Sequence, residues 1–396
     1  MELLSPAGNI EKLYYAYEYG ADAAYIGIKN FSLRAKADNF SADEYEDIRR
    51  VKGNKKLYTA LNIYFHDSDI ETLEKESDYI HQYPLDGFIV SDIGILGFLK
   101  KNFPDKEIHL STQANCVNTE AAKMYHDMGI KRIVLGRELS LKEIEAIKKN
   151  VPGLEIEVFA HGAMCLAYSG RCFLSKYLAD RSANQGDCAH SCRWQYRVLE
   201  ESERPGEYFP VVQGENFTSI LSSKDLCMIG HLKELKDAGV DSIKIEGRMK
   251  SIYYTAVITR AYRKQLDYIE GISSEDPKPY VDEIFKVSHR EFSTGFYYGK
   301  DEIEMPTFKS YMSEAQFLGS IEEEVEKGLY RLDVKNQILA SDSIEYIGPD
   351  LLFLKDEGFI LLDEEMQSVP KTDHGKIAYL KTDKKLKKGY IIRKKG

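Results

Sequence analysis

The chain has 396 residues, 43% of them hydrophobic and 30% charged, with a formal net charge of −10. This composition excludes a disordered polymer, and the length leaves room for one large domain plus a small one or for two of middling size. No run of 18 apolar residues occurs, which excludes a transmembrane helix, and the acidic balance argues against indiscriminate nucleic-acid binding.

The N-terminus, MELLSPAGNIEKL, has no basic n-region and no apolar h-region. A signal peptide is therefore not expected, and the predicted location is the cytoplasm, where cysteines stay reduced. Over the first 250 residues, short apolar runs alternate with amphipathic stretches. Strands are predicted at Glu2–Leu4, Ala23–Ile28, Lys56–Ile63, Gly87–Ser91, Ile108–Thr112, Arg132–Leu135, Glu155–Phe159 and Ser242–Ile245. Helices are predicted at 9–20, 41–51, 69–83, 118–129 and 140–150, with N-caps at Asn9, Ser41, Asp69 and Ser140 and glycine stops at Gly20 and Gly129. Eight β-α alternations predict an α/β fold with a TIM-barrel-like parallel domain. A doubly wound sheet is the alternative, disfavoured because no strand is followed by G-x-G-x-x-G; the IGILG at 93–97 lacks that spacing and reads as a helix start. A long helical stretch, Ser251–Ile269, leads to a connector with Pro277 and Pro279. From about Phe308 the chain reads as short strands with turns, which predicts a small C-terminal β-barrel. The expected division is 1–305, with a cysteine-rich loop at 161–230, and 306–396. From Lys371 to Gly396 ten Lys/Arg face two Asp, a local balance of +8. That tail reads either as a phosphate-contacting arm or as a solvated final strand.

Polar residues recur just after the strands: Ser5, Asn62, Asp92, Gln113, Arg137, Glu138, His161, Glu246 and Arg248. In a β/α barrel that rim is where chemistry is assembled. KIEGRMKS at 244–251 places Glu246, Arg248 and Lys250 there, a set suited to orienting an anion or to a salt-bridged loop. GRE at 136–138 makes a similar trio, and STQANCVN at 111–118 brings the amides of Gln113 and Asn115.

Five of the six cysteines fall between Cys165 and Cys227, in a block that follows the seventh strand. Six residues separate Cys165 from Cys172 and three separate Cys188 from Cys192, and Cys227 lies 35 residues beyond Cys192. Zinc ribbons favour pairs two to four residues apart, and only the second pair meets this. Four-iron clusters tolerate irregular spacing, so a 4Fe-4S cluster on four of Cys165, Cys172, Cys188, Cys192 and Cys227 is expected, with zinc as the alternative. Gly162, Gly170 and Gly186 permit amide donation to sulfur, and Arg171 and Arg193 could offset thiolate charge. His161 closes a strand and opens the loop, which suits a proton carrier; His190 lies between two cysteines. Tyr168 and Trp194 are candidate stacking surfaces for a base, with core packing as the ordinary role of a lone tryptophan.

EVFAHGAMCLAYSGRCFLS (157–175) resembles the signature of peptidase family U32. The resemblance continues through NQGDCAHSCRWQY, RPGEYFPV, SSKDLCMI and DSIKIEGRMKSIYYTAVITRAYR, and includes LLSPAGN, AYIGIKNFSLRAKADNF and STQANCVN. The segment from about Phe308 is similar to the family's small β-barrel domain, so nearly the whole chain is covered. Within the family the chain most resembles the branch that hydroxylates tRNA. That implies O2-independent hydroxylation of tRNA, with 5-hydroxyuridine formed at the wobble position and prephenate as the apparent oxygen source. Sister branches imply ribosomal RNA or a quinone precursor as substrate, and the quinone branch implies a 4Fe-4S cluster whose ligands fall on Cys165 and Cys172, with two more from Cys188, Cys192 and Cys227. Arg137, Arg248 and Lys250 would then clamp a small anionic co-substrate, with Gln113, Asn115, Glu138 and Tyr168 lining the substrate and His161, Arg171 and Glu246 nearest the chemistry. tRNA is the expected partner, no membrane is involved, and a homo- or hetero-oligomer with a paralogue is compatible with the pattern. The family also carries a collagenase-like peptidase label, hence hydrolase and protease as the competing reading. The sequence holds neither an H-E-x-x-H helix nor a G-x-S-x-G elbow. A Cys165–His161 protease would leave four cysteines without a purpose.

Overall fold

The computed structural model describes residues 1–28, 31–32, 40, 44–165, 167–172, 175, 179–181, 183, 187–189, 191, 212–213, 218–219, 223–299 and 311–396. Contacts divide the chain into two compact units: Met1–Tyr17, Ala21–Lys250 and Arg290–Ser310 form the first, and Glu18–Gly20, Ser251–His289 and Tyr311–Gly396 the second.

The first unit carries β1 (Glu2–Pro6), β2 (Ala23–Gly27), β3 (Lys56–Leu61), β4 (Gly87–Val90), β5 (Glu107–Leu110), β6 (Arg132–Val134), β7 (Glu155–Ala163), β8 (Asp225–Cys227), β9 (Ser242–Ile245) and β10 (Phe292–Ser293). Strands β1 to β7 pair in sequence order, all parallel, and β9 pairs with both β1 and β7. The sheet thereby closes on itself as an eight-stranded parallel barrel, the fold the β-α alternation predicts. Parallel strands are covered on both faces, so they read as near-continuous apolar runs, as AAYIG and GFIV do here. Leu3, Ile26, Leu57 and Ile243 are fully buried, and each contributes about 1.5–3 kcal/mol on leaving water.

The intervening helices are α1 (Ile10–Glu18), α2 (Tyr45–Lys52), α3 (Asp67–Lys75), α4 (Ser77–His81), α5 (Leu96–Asn102), α6 (Thr119–Asp127) and α7 (Leu141–Asn150). Asn9 and Ser140 cap as expected; Ser140 and Glu143 form a reciprocal capping box. Asp69 is not a cap. It sits in the first turn of α3 and accepts the His66 amide at 2.9 Å, so the helix starts two residues earlier. The stretch predicted as one helix at 69–83 is two, α3 and α4, joined at Glu76. Ser41 lies outside the described residues.

Two departures bear on function. Strand β7 runs past its predicted end at Phe159 to Ala163, because β8 pairs antiparallel with its last three residues. The cysteine-rich loop therefore leaves and returns at one point of the barrel. The lower barrel interior is also ionic rather than apolar. Inward-facing Glu157, wholly buried, accepts from Arg132 at 3.1 Å, Lys244 at 3.0 Å and Ser242 at 3.1 Å, while Arg132 also reaches Glu2 and Glu155. Burial alone would raise the Glu157 pKa, but Lys244 and Arg132 overcome it and hold it down to about 2.

In the second unit, β11 (Ala315–Glu326), β12 (Leu329–Val334), β13 (Ile344–Ile347), β14 (Leu354–Asp356), β15 (Ile360–Leu362), β16 (Ala378–Lys381) and β17 (Ile391–Lys395) form an antiparallel sheet in the order β14-β13-β17-β11-β12-β16-β15. Leu318, Ile321, Tyr346, Leu380 and Ile392 centre its core. The helix Ile252–Ile269, placed with the barrel on sequence grounds, lies in this unit. Strand β17 shows that the basic tail is not a free arm. Arg393 is 0% exposed and bonded to Glu283, to Glu345 at 2.8 Å and to the Tyr253 hydroxyl at 3.1 Å.

Candidate functional site

A cavity of about 520 Å³, counted to its open mouth, lies at the C-terminal ends of the barrel strands. Its deeper wall is the upper inward layer of the strands, with Tyr25 on β2, Phe159 on β7 and Lys244 on β9. Alternation along each strand puts these on the same face as the ionic layer below. Its rim comes from the loops that follow, with Asn62, Gln113, Arg137, Glu246 and Arg248. Five of the polar residues singled out after the strands thus meet in one cavity.

Each rim group is held. Arg248 is 3% exposed, and its guanidinium donates to the Ser32 hydroxyl at 2.6 Å. Its backbone carbonyl is gripped by Lys12 at 3.2 Å and lies against Gly8, where a Cβ would collide with it. Glu246 accepts from the Tyr25 hydroxyl at 3.3 Å. The Arg137 guanidinium stacks 4.0 Å above the Phe159 ring, and its buried Nε has no hydrogen-bond partner. The buried Gln113 Oε1 is likewise unsatisfied. Burying such atoms without partners costs about 1–3 kcal/mol each, so they mark a place where a ligand or water completes the network.

Other expected residues serve the cysteine loop instead. Glu138 bonds both the backbone amide and the hydroxyl of Ser169, holding that residue at a left-handed φ of 43°. Arg171 donates to the Gln113 carbonyl at 2.8 Å and lies 5.7 Å from the Tyr64 ring centroid, tying the loop to the rim. Tyr168 is 52% exposed. His161 is buried on β7, 5.4 Å from the Phe292 ring and in register with Cys227. Gly162 beside it has φ 107°, and a Cβ there would strike the Glu246 carbonyl. Asn115 ends a short turn at φ 62°, and Lys250 closes the turn that begins at Gly247; neither lines the cavity.

Cys165 is exposed, and Cys172, Cys188 and Cys227 are half-buried. Cys227 is fixed by the buried Asp225, which accepts from Arg290 through the backbone amide, Nε and Nη2 at 3.0, 2.9 and 2.6 Å. Cys188 follows Asp187, which Arg181 bonds at 2.6 Å while also donating to the Cys188 carbonyl. These thiols have the donor chemistry of an iron–sulfur or zinc site. Among the described residues, however, no three His, Cys, Asp or Glu side chains converge as metal ligands. Cys192, His190 and Trp194 lie outside the described residues.

Lys244, Tyr25, Phe159 and Ser111 were not anticipated as site residues. The available signal was a lysine between two isoleucines in a barrel strand, SIKI.

A sequence profile described as peptidase family U32 matches residues 8–307, and one described as the peptidase family U32 C-terminal domain matches 313–393. The chain is 35% identical to the tRNA hydroxylation protein P of Escherichia coli strain K12, over 88% of this chain and 86% of that one. It is 34% identical to the tRNA hydroxylation protein P1 of Bacillus subtilis strain 168, over 99% of this chain and 94% of the other. It is also 33% identical to a collagenase of Porphyromonas gingivalis strain W83, over 76% and 74% of the two chains.

Proposed function

The chain belongs to peptidase family U32, and from that premise we propose that it is an RNA-modifying enzyme that hydroxylates tRNA. The observation that carries this reading is the near full-length likeness to two tRNA hydroxylation proteins, spanning both units of the chain. The finer reading is 5-hydroxyuridine formed at the wobble position, with oxygen derived from prephenate, in the cytoplasm. The cavity supports a small anionic co-substrate: Arg137 and Arg248 are its rim cations, and Arg137 has no carboxylate partner among the described residues. Glu246, hydrogen-bonded by Tyr25, is the carboxylate placed to hold or take up a proton there. The exposed ring of Tyr168 is suited to stacking on a nucleotide drawn out of the anticodon loop.

Four of Cys165, Cys172, Cys188, Cys192 and Cys227 would hold a 4Fe-4S cluster; when bound, such a group supplies one-electron transfer. Zinc is the competing occupant. Anaerobic isolation followed by iron and sulfide analysis separates the two. Near-stoichiometric zinc without sulfide would remove the cluster from the proposal.

The function itself is tested by nucleoside analysis of tRNA from a strain in which this chain and any paralogue are deleted. 5-Hydroxyuridine and its derivatives should disappear and return on complementation; undiminished levels would refute tRNA hydroxylation. The family label and the collagenase relative favour a peptidase as second reading. Among the described residues the cavity lining holds neither histidine nor cysteine, so a thiol peptidase would find neither nucleophile nor base there. Reduced protein is expected to leave gelatin intact.

A further inference from the structure

We propose that Lys244 contacts the co-substrate directly, its ammonium holding a carboxylate at the cavity floor while Arg137 and Arg248 hold negative charge nearer the mouth. This rests on the reading that a small anion occupies the cavity. Lys244 lies within β9, whereas Arg248 follows that strand and Arg137 follows β6, so the lysine is the deepest of the three cations.

Its surroundings support a ligand-facing role over a purely structural one. The residue is 4% exposed yet lines the cavity. An ammonium has three donors, and one is used, on Glu157 at 3.0 Å. The nitrogen otherwise meets aromatic faces, 4.3 Å from the Tyr25 centroid and 5.8 Å from that of Phe159. Glu157 is not Lys244's alone, because Arg132 and Ser242 share its other oxygen. A buried ammonium at a cavity wall with a single hydrogen-bond partner is completed by an anionic oxygen. The rings of Tyr25 and Phe159, with Ile89 and Val134, would pack the apolar body of such a ligand.

The charged and titratable groups facing this ammonium are Glu157, Glu246, Arg132 and Tyr25. Burial lowers the Lys244 pKa, and Glu157 only partly restores it. The charge is therefore lost at a lower pH than for an ordinary lysine, whereas an arginine in its place stays charged.

The test is calorimetric titration of prephenate into the anaerobically purified full-length protein and its Lys244→Met and Lys244→Arg variants, between pH 7 and about pH 10. At pH 7, Lys244→Met should weaken binding by about 10- to 100-fold, the range expected on removing a charge-assisted hydrogen bond. Lys244→Arg should retain most of the affinity. Wild-type affinity should fall toward alkaline pH, and the fall should be absent in Lys244→Arg. Unchanged prephenate binding by a folded Lys244→Met variant would overturn the proposal. If Lys244→Met does not fold, a parallel alkaline decline in wild type and Lys244→Arg overturns it instead. Failure of wild type to bind prephenate overturns it too, and leaves tRNA hydroxylation to the nucleoside analysis.

Discussion

At the scale of the residue, side chains that line the cavity differ from side chains that hold the loops around it. Arg137 belongs to the first group, stacked on Phe159 with a buried donor unused. Substituting it with alanine should lower the yield of hydroxylated nucleoside by about tenfold or more, the effect of losing a charged contact to substrate. Thermal stability should change less, since among the described residues Arg137 makes no ion pair and only a 3.4 Å hydrogen bond to the Ala163 carbonyl. Nucleoside analysis of a complemented deletion strain, alongside a melting curve, checks both halves. Glu138 belongs to the second group. Its bonds to Ser169 hold a strained backbone between Cys165 and Cys172. Both residues carry charge and follow the same strand, so the GRE motif could not by itself assign their roles.

At the scale of the element, the junction of β7 with β8 decides where the cysteine loop is anchored. A strand three residues long is weak unless something immobilises it, and the buried Asp225–Arg290 pair does so. Arg290 and Lys250 lower the Asp225 pKa against the opposing effect of burial. Asp225→Asn removes the carboxylate from this buried pair, a loss of about 3–5 kcal/mol. The unfolding midpoint in urea should fall accordingly. If Cys227 is a ligand, iron retained after anaerobic purification should fall with it; unchanged stability would show the pair to be solvated. The extension of β7 to Ala163 was not legible locally, because its partner lies more than 60 residues away in the sequence.

At the scale of the whole molecule, the barrel encloses an ionic layer beneath the cavity, which makes the first unit sensitive to acid. The Glu157 carboxyl sits at about 2 against an ordinary 4.5. Its contribution is complete above the unfolded value and is lost as pH falls from about 4.5 toward 2, amounting to about 3 kcal/mol. Denaturant unfolding followed by circular dichroism between pH 7 and pH 3 should show stability falling at the acid end. Glu157→Gln should flatten that fall and lower stability at neutral pH, because Arg132 and Lys244 then lose their shared anion. In the second unit, the burial of Arg393 shows how a basic segment that reads as an RNA-binding arm can end in the middle of a sheet.

The eight barrel strands and the cysteine block were legible in the amino-acid order. Strands buried on both faces are mostly apolar, and thiols gathered within one loop are visible as spacing. The cavity was not. It exists because β9 returns to pair with both β1 and β7, and only that closure turns one of the two sides of each strand into an interior. Lys244, Tyr25 and Phe159 face one another because their parity along three distant strands matches, a property of the closed sheet and of no single segment.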